Sequence, residues 1–243
     1  MKTRLKHITF TGIDAQTDIE RLRDIQRRYP IAEFGVLTSY HWYKNGNRYL
    51  DPRLIDERLR CKGLRLALHV CGSAAHDAAV GKWDNIDKLT WMNLNIFKRV
   101  QINIAGRKDN PKFCWVPLVI GQELIVQQKA DIHLPEYHAT LHKWRDKRPY
   151  HHRDTISALL DSSGGRGIDT KLKVYPSNEK IGYAGGISPD NVEEKLRFLM
   201  SHVTMGEFWI DMESGVRTDD WFDLDKVEKV LNICEPIIKQ WED

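Results

Sequence analysis

Two similar segments decide the fold: "TISALLDSSGGRGID" at residues 155–169 and "KIGYAGGISPDNVEEKL" at residues 180–196. Each begins with an apolar or β-branched run, which predicts a strand, and each run ends in a turn of small residues. The first turn contains Gly164 and Gly165, and the second contains Gly185 and Gly186. Backbone amides in glycine turns can approach an anion closely, so the pair of turns predicts a phosphate site.

Two further features of these segments support an anion site. Asp161 ends the first predicted strand and places a carboxylate beside the turn. Ser188 and Pro189 follow the second turn at once, which predicts a helix with a side-chain cap and proline in its first position. The unpaired N–H groups and the dipole of such a helix attract phosphate.

The rest of the chain repeats the alternation of strand and helix. Eight strand-like runs are present, at residues 7–13, 32–39, 64–72, 99–106, 122–128, 155–161, 181–184 and 207–215. Most are followed by a helical pattern, including one that a capping box at Thr17 and Glu20 would open and one that Asp51–Pro52 would open. Alternating strands and helices imply parallel pairing, and eight such units close into an α/β (β/α)8 TIM barrel with its active site at the carboxyl ends of the strands.

An open, doubly wound sheet is the alternative architecture. It would carry a G-x-G-x-x-G turn after the first strand, and the sequence has none there. We therefore predict a barrel, with residues 1–243 forming a single domain.

Composition limits the ligand and the compartment. The net charge of +3 and pI of about 8.6 suit an anionic small molecule and do not favour nucleic acid. The four cysteines, at positions 61, 71, 114 and 234, lack C-x-x-C pairing, which indicates reduced thiols and a cytoplasmic protein. No signal-like segment or membrane-length apolar run occurs, and His138 and His142 lack a third ligand at metal-site spacing. We expect no metal, no cofactor and no membrane contact, and the oligomeric state stays open.

Three motifs resemble the phosphoribosylanthranilate isomerase family, a barrel enzyme of tryptophan biosynthesis. They are "LLDSSGGRGID" at residues 159–169, "YAGGISPDNVEEKL" at residues 183–196 and "IDMESGVRTDDWFDLDKVEKVL" at residues 210–231. The resemblance implies an Amadori rearrangement of a phosphorylated amino sugar, with Asp161 as the general acid. It also implies the following contacts: Arg48, Gln101 and Asp211 with the substrate, and Gly164, Gly165, Gly185, Gly186, Ser214 and Gly215 with its phosphate.

The general base is the point at which the chain departs from this family. The family has a cysteine in its first strand, where this chain has Thr11 before Gly12. A threonine hydroxyl is too weakly acidic to act as a base unaided. Cys71 as a thiolate, His69 on the same strand face, or Asp14 just past the first strand could replace it.

Charged and aromatic residues near the predicted opening of the barrel indicate the size and charge of the ligand. Arg166 and Arg217 add positive charge to two of the turns and suggest a larger or more highly phosphorylated ligand. Glu213 beside Ser214 would repel phosphate unless it points away. The loop "YHWYKNGNRY" at residues 40–49 could stack on an aromatic ring or plug the barrel mouth.

Two functions follow from these features. The first is an isomerase of a phosphoribosyl compound or an amino-sugar phosphate. The second is a barrel that binds a nucleotide or sugar phosphate without turning it over, which the loss of the cysteine and the retained glycine turns would also fit.

Overall fold

The computed structural model describes residues 4–41, 46–59, 63–80, 82, 94–103, 122–129 and 156–242. In this part of the chain, eight parallel strands pair in sequence order and the last pairs with the first. They are β1 (Leu5–Thr11), β2 (Ala32–Thr38), β3 (Leu66–Val70), β4 (Arg99–Ile102), β5 (Glu123–Lys129), β6 (Ile156–Asp161), β7 (Ile181–Ala184) and β8 (Phe208–Met212). The sequence prediction of a (β/α)8 barrel is confirmed, and the open-sheet alternative is wrong.

Helices lie between the strands. Their bounds are α1 (Ile19–Arg28), α2 (Pro52–Leu59), α3 (Gly72–Ala79), α4 (Val192–His202) and α5 (Leu224–Glu242). Short 3₁₀ turns cover Gly46–Arg48, Leu94–Ile96 and Ser214–Val216, and a small hairpin of β9 (Arg217–Thr218) and β10 (Trp221–Phe222) precedes α5. None of these described helices has the length and hydropathy that crossing a membrane requires.

Local sequence explains where two of these helices begin. Asp51 accepts a hydrogen bond from the Arg53 amide at 2.9 Å, so the predicted Asp51–Pro52 start of α2 is confirmed. The predicted capping box of α1 is wrong. Asp18 is the N-cap and accepts from the amides of Glu20 and Arg21, because the Thr17 hydroxyl instead bonds Asp14.

The outward faces of the strands form the main apolar core against the helices. Ile8 and Phe10 of β1, Phe34 of β2 and Tyr183 of β7 are fully or almost fully buried there. This period-two alternation sends the intervening residues into the barrel.

The interior of the barrel is polar at its amino-terminal end. Arg99 donates to Glu33 at 2.7 Å and pairs with Glu123 at 3.2 Å, and Lys180 pairs with Glu123 at 2.7 Å. Above this charged floor lies an apolar layer of Ile125, Leu159 and Trp209. The Arg99 guanidinium lies 4.1 Å from the centre of the Trp209 ring, so cation–π contact joins the two layers.

Candidate active site

The carboxyl ends of the strands enclose a cavity of about 410 Å³ above the apolar layer. Asp161 of β6, Ala184 of β7 and Asp211 of β8 are register partners, so their side chains lie on the same, inward face of the sheet. Both carboxylates line the cavity and are about 5% exposed. Two acidic groups thus face the same cavity near the strand ends.

Asp161 organises the first glycine turn. Its carboxylate accepts from Gln127 Nε2 at 2.9 Å, the Ser163 amide and hydroxyl at 2.9 and 2.7 Å, and the Gly165 amide at 2.6 Å. The Gly164 amide donates to the Asp161 carbonyl at 3.1 Å. All four of these groups are donors, so the Asp161 carboxylate is the acceptor in each of its four hydrogen bonds. The amides of Gly164 and Gly165 face Asp161, so the expectation that they are free for an anion is wrong.

The second and third turns leave their amides available. In the described part of the chain, no protein acceptor receives a hydrogen bond from the amides of Gly185, Gly186, Ser214 or Gly215. All four residues line the cavity. Adjacent amides without a protein acceptor form a nest that can hold a phosphate group.

The three turns also pack directly on one another. A Cβ at Gly186 would overlap the backbone of Ile168 and Asp169, and a Cβ at Gly215 would overlap the Ile187 carbonyl. A Cβ at Gly167 would likewise overlap the Ser214 side chain. Glycine is therefore required at all three positions for the close approach of the turns, and Gly167 and Gly186 also adopt positive φ.

The helix after the second turn begins later than the sequence predicts. Ser188, Pro189 and Asp190 precede it, and α4 starts at Val192 with Asn191 at its N-cap. Asn191 makes no capping bond with its side chain and instead accepts from the Ser188 amide and donates to the Gly186 carbonyl, both at 2.9 Å. The Asn191 side chain therefore shapes the glycine turn.

Lys195 of α4 braces the same turn from behind. Its Nζ donates to the Gly185 carbonyl at 2.7 Å and to the Thr170 carbonyl at 3.0 Å, and it pairs with Asp169 at 2.7 Å. One ammonium group thereby ties the first turn segment to the second, and it adds positive charge behind the free amides.

Gln101, His69 and Thr11 form a series of polar contacts that ends at the Asp211 carboxylate. Thr11 Oγ1 donates to the Asp211 carboxylate at 2.9 Å, and His69 Nε2 lies 3.5 Å from the same hydroxyl. Gln101 Nε2 donates to His69 Nδ1 at 3.1 Å, which places the ring proton on Nε2. Burial, with a smaller contribution from Arg99, lowers the pKa of His69 to about 3. His69 is therefore a neutral member of the chain, which orients Thr11.

Asp211 itself titrates near neutrality. Burial raises its pKa to about 7, against the lowering effects of the Thr11 hydrogen bond and the Arg99 charge. A carboxyl with this pKa holds its proton in part of the population at neutral pH. Gln101 also lines the cavity, and its Oε1 has no partner among the described residues, so it can accept a hydrogen bond from a ligand.

Two of the suggested replacements for the missing base do not fit. Burial raises the pKa of the Cys71 thiol to about 12, which opposes the thiolate that a base would require. Cys71 lines the cavity but accepts a hydrogen bond from Asn103 Nδ2 at 3.2 Å. Asp14 is buried away from the cavity lining and accepts from Arg217 at 3.2 Å and the Phe222 amide at 2.6 Å.

Arg217 also differs from its predicted role. Its guanidinium is buried, donates to the Gly12 carbonyl at 2.9 Å and pairs with Asp14. It holds the β9–β10 hairpin to the end of β1 and does not line the cavity. Arg166 does line the cavity, and its Nε donates to the Ser163 carbonyl at 2.8 Å.

Arg48 and Glu213 form an ion pair at the rim. Arg48 Nη1 lies 3.0 Å from Glu213 Oε1, and Arg48 Nε lies 2.8 Å from Asp220 Oδ1. Glu213 lines the cavity rather than pointing away, and burial raises the pKa of its carboxyl. Tyr40 bonds Asp77 at 3.1 Å and lies outside the cavity lining, whereas Trp42, Tyr43 and the pair His138/His142 lie outside the described residues.

The sequence analysis missed several residues that line the cavity: Leu37, Asn103, Gln127 and Ser163. Gln127 and Asn103 were open to prediction, because they lie two residues beyond Ile125 and Gln101 on the inward face of β5 and after β4. Tyr49, which follows the 3₁₀ turn after β2, belongs to the loop at residues 40–49 that the sequence analysis placed at the barrel mouth, and it does line the cavity.

Comparisons with known proteins agree with this architecture. Residues 128–233 match the family model described as N-(5'phosphoribosyl)anthranilate (PRA) isomerase. The phosphoribosyl anthranilate isomerase of Thermococcus kodakaraensis is 16% identical, with a TM-score of 0.53 over 95% of this chain and 99% of that one. The N-(5'-phosphoribosyl)anthranilate isomerase of Pyrococcus furiosus is also 16% identical, with a TM-score of 0.54 over 95% and 98% of the two chains. No curated protein matches the sequence.

The family match spans the part of the chain that contains Asp161, the free amides and Asp211, and the structural similarity extends over the whole barrel. On these grounds the whole chain has the (β/α)8 barrel fold, and residues 128–233 are similar to the PRA isomerase family model.

Proposed function

We propose that this protein catalyses an Amadori-type isomerisation of a phosphorylated amino sugar. The observation that carries the proposal is that Asp161 and Asp211 line one cavity, together with four residues whose amides no described acceptor occupies. Such a site can hold a sugar phosphate while two carboxyl groups act on the sugar ring.

In this reaction the ring oxygen accepts a proton as its bond to the anomeric carbon breaks. The neighbouring carbon then loses a proton, and the resulting enolamine returns to a keto amine. One acid and one base are needed, and no external oxidant or reductant. The substitution of Thr11 for the family's cysteine leaves these roles to the two carboxyl groups.

The hydrogen bonds favour a particular division of the two roles. The resemblance assigns the acid to Asp161, but four donors at its carboxylate suit a base. Asp211, whose pKa is raised to about 7 by burial, holds a proton that it can donate. We therefore assign the acid to Asp211 and the base to Asp161, with Thr11 orienting Asp211 through the bond at 2.9 Å.

The test uses phosphoribosylamines formed from ribose 5-phosphate and a panel of amines in D₂O. Turnover places deuterium on the former anomeric carbon of the keto amine, which proton NMR detects. Asp161→Asn and Asp211→Asn should each abolish this incorporation, whereas Asp190→Asn, an exposed aspartate on the loop before α4, should retain it. Incorporation that survives in both site variants would contradict the assignment.

Binding without turnover is the second candidate. It is favoured by the Thr11 hydroxyl, which is committed to Asp211, and by the raised pKa of the Cys71 thiol. Mass spectrometry of molecules that co-purify with the protein separates the two functions. A retained nucleotide, together with no deuterium incorporation from any amine, would favour the binding protein.

A further inference from the structure

Arg48 is one of the residues to which the family resemblance gives a contact with the substrate. It ends the 3₁₀ turn after β2 and lines the cavity beside Tyr49. Two carboxylates already bind its guanidinium, Glu213 at 3.0 Å and Asp220 at 2.8 Å. Asp220 also lies 3.6 Å from Arg217, which pairs with Asp14, so this cluster holds two positive charges against three negative charges.

The position of Asp220 is fixed by a buried anchor. Asp219 and Asp220 form the turn between β9 and β10 with φ of 50° and 61°, a left-handed conformation that costs non-glycine residues about 1–2 kcal/mol each. The buried Arg217 holds this turn, because its Nη2 donates to the Asp220 carbonyl at 2.6 Å. The hairpin therefore presents the Asp220 carboxylate to Arg48 from a rigid base.

Glu213 is the acidic group that a substrate would meet at the Arg48 end of the cavity. It follows β8 directly, lines the cavity and precedes the free amides of Ser214 and Gly215. The aglycone is the group that the amine nitrogen of the sugar carries. A carboxylate on it would have to displace Glu213 and Asp220 from Arg48, and it would then lie close to their two negative charges in a partly buried site. Like charges in such a site oppose binding strongly.

We infer that the site takes a phosphorylated amino sugar whose aglycone is uncharged and donates a hydrogen bond to Glu213. This inference rests on the proposed function. Arg48 then serves to hold Glu213 and the hairpin in place, and the phosphate stays with the free amides of the second and third turns.

The test compares two stable product-like ligands, N-aryl amino-deoxyribulose phosphates that differ only in an ortho carboxamide or an ortho carboxylate. Calorimetry on the intact protein should give about 10-fold tighter binding of the carboxamide. In Glu213→Gln, the carboxylate ligand should gain about 10-fold in affinity, because Arg48 loses one of its two anionic partners. Glu235→Gln removes an equivalent charge from an exposed pair on α5 and should leave both affinities unchanged.

Thermal unfolding of each variant verifies folding, and Asp220→Asn is a second variant that frees Arg48 from the other side. Equal affinities in the wild type, or tighter binding of the carboxylate, would overturn the inference while leaving the sugar-phosphate function in place. Failure of both ligands to bind the wild type would overturn the proposed function and the inference with it.

Discussion

At the scale of single residues, the site depends on two aspartates with the same chemistry and different surroundings. Asp161 is surrounded by donors, which makes it an acceptor, and Asp211 is buried with Thr11 as its close donor. The sequence places both at strand ends but carries no sign of this difference, since it arises from neighbours distant along the chain. Gln127 reaches Asp161 across 34 positions, and Thr11 reaches Asp211 across 200.

Asp211 makes the stability of the barrel depend on pH. The pKa of Asp211 is about 7 in the folded protein and 3.8 in the unfolded chain, so between these values the unfolded chain loses the proton that the folded protein keeps. The contribution of protonated Asp211 to the free energy of unfolding is therefore fully present below pH 3.8. It is lost as the pH rises from there to about 7, by at most about 1.4 kcal/mol per pH unit. Asp211→Asn should remove the dependence, so its Tm relative to the wild type should rise between about pH 4 and pH 7. A constant difference in Tm over this range would contradict the buried acid.

The same residue sets the pH dependence of turnover. If Asp211 donates the proton, kcat/KM should fall as the pH rises through about 7. The residual activity of Asp211→Glu should show the same fall in kcat/KM, which we call the alkaline limb, at a shifted pH. A pH–rate profile under deuterium-incorporation conditions measures this limb. An increase in kcat/KM through the same range would show that Asp211 acts as the base.

Asp161→Asn should weaken the fold as well as turnover. The amide nitrogen of asparagine would face one of the donors at Ser163 or Gly165, which costs about 1–3 kcal/mol for the donor left unsatisfied. Chemical denaturation measures this loss, and Asp190→Asn, whose partner Lys229 lies 3.4 Å away on the surface, is the matched control. Unchanged stability in Asp161→Asn would mean that the turn does not depend on the carboxylate.

At the scale of elements, the three turns at the ends of β6, β7 and β8 act as one unit. They touch through backbone atoms, and Lys195 and Asn191 hold them from α4. The sequence predicts the turns individually because glycine pairs mark them. Their mutual packing is a tertiary property, and so is the delayed start of α4, where Asn191 bonds the glycine turn instead of capping the helix.

Gly186→Ala should disrupt this unit, and Gly164→Ala should be tolerated. Both glycines have positive φ, 59° and 64°, which costs alanine about 1–2 kcal/mol at either position. Only at Gly186 would the added Cβ also overlap backbone atoms, so its total cost should reach about 3 kcal/mol, whereas nothing lies within 4 Å of a Cβ at Gly164. Denaturation midpoints and calorimetric affinity for ribose 5-phosphate measure both effects. Equal losses in the two variants would contradict the direct packing of the turns.

At the scale of the whole molecule, the barrel has two chemically distinct ends. The strand pattern predicts the closed barrel and places all eight strands within a few residues of their observed bounds. It does not predict the charged floor, because the sequence alone favours a surface position for each of the three charged residues Glu33, Arg99 and Glu123. They come together only when the strands close into a barrel.

Arg99→Met should destabilise the barrel by about 3–5 kcal/mol, since it leaves Glu33 buried without its cation. Adding Glu33→Gln to Arg99→Met should recover part of the loss, because the remaining buried charge is removed. Arg27→Met breaks an exposed pair with Asp24 and should change stability by less than about 0.5 kcal/mol. Urea denaturation of the four proteins tests this, and a small effect of Arg99→Met would show that the floor contributes little to folding.

The apolar layer between the two ends also provides an optical reporter. The Trp209 indole is fully buried and occupies the space that a side chain at position 182 would fill. Its ring contacts Arg99 on the side of the charged floor, and the cavity lies on the other side of the apolar layer. Its emission is expected at short wavelength, and a ligand that settles above it should change that emission. The difference between the spectra of the wild type and Trp209→Phe isolates this signal, so occupancy of the barrel can be followed by light without any added label.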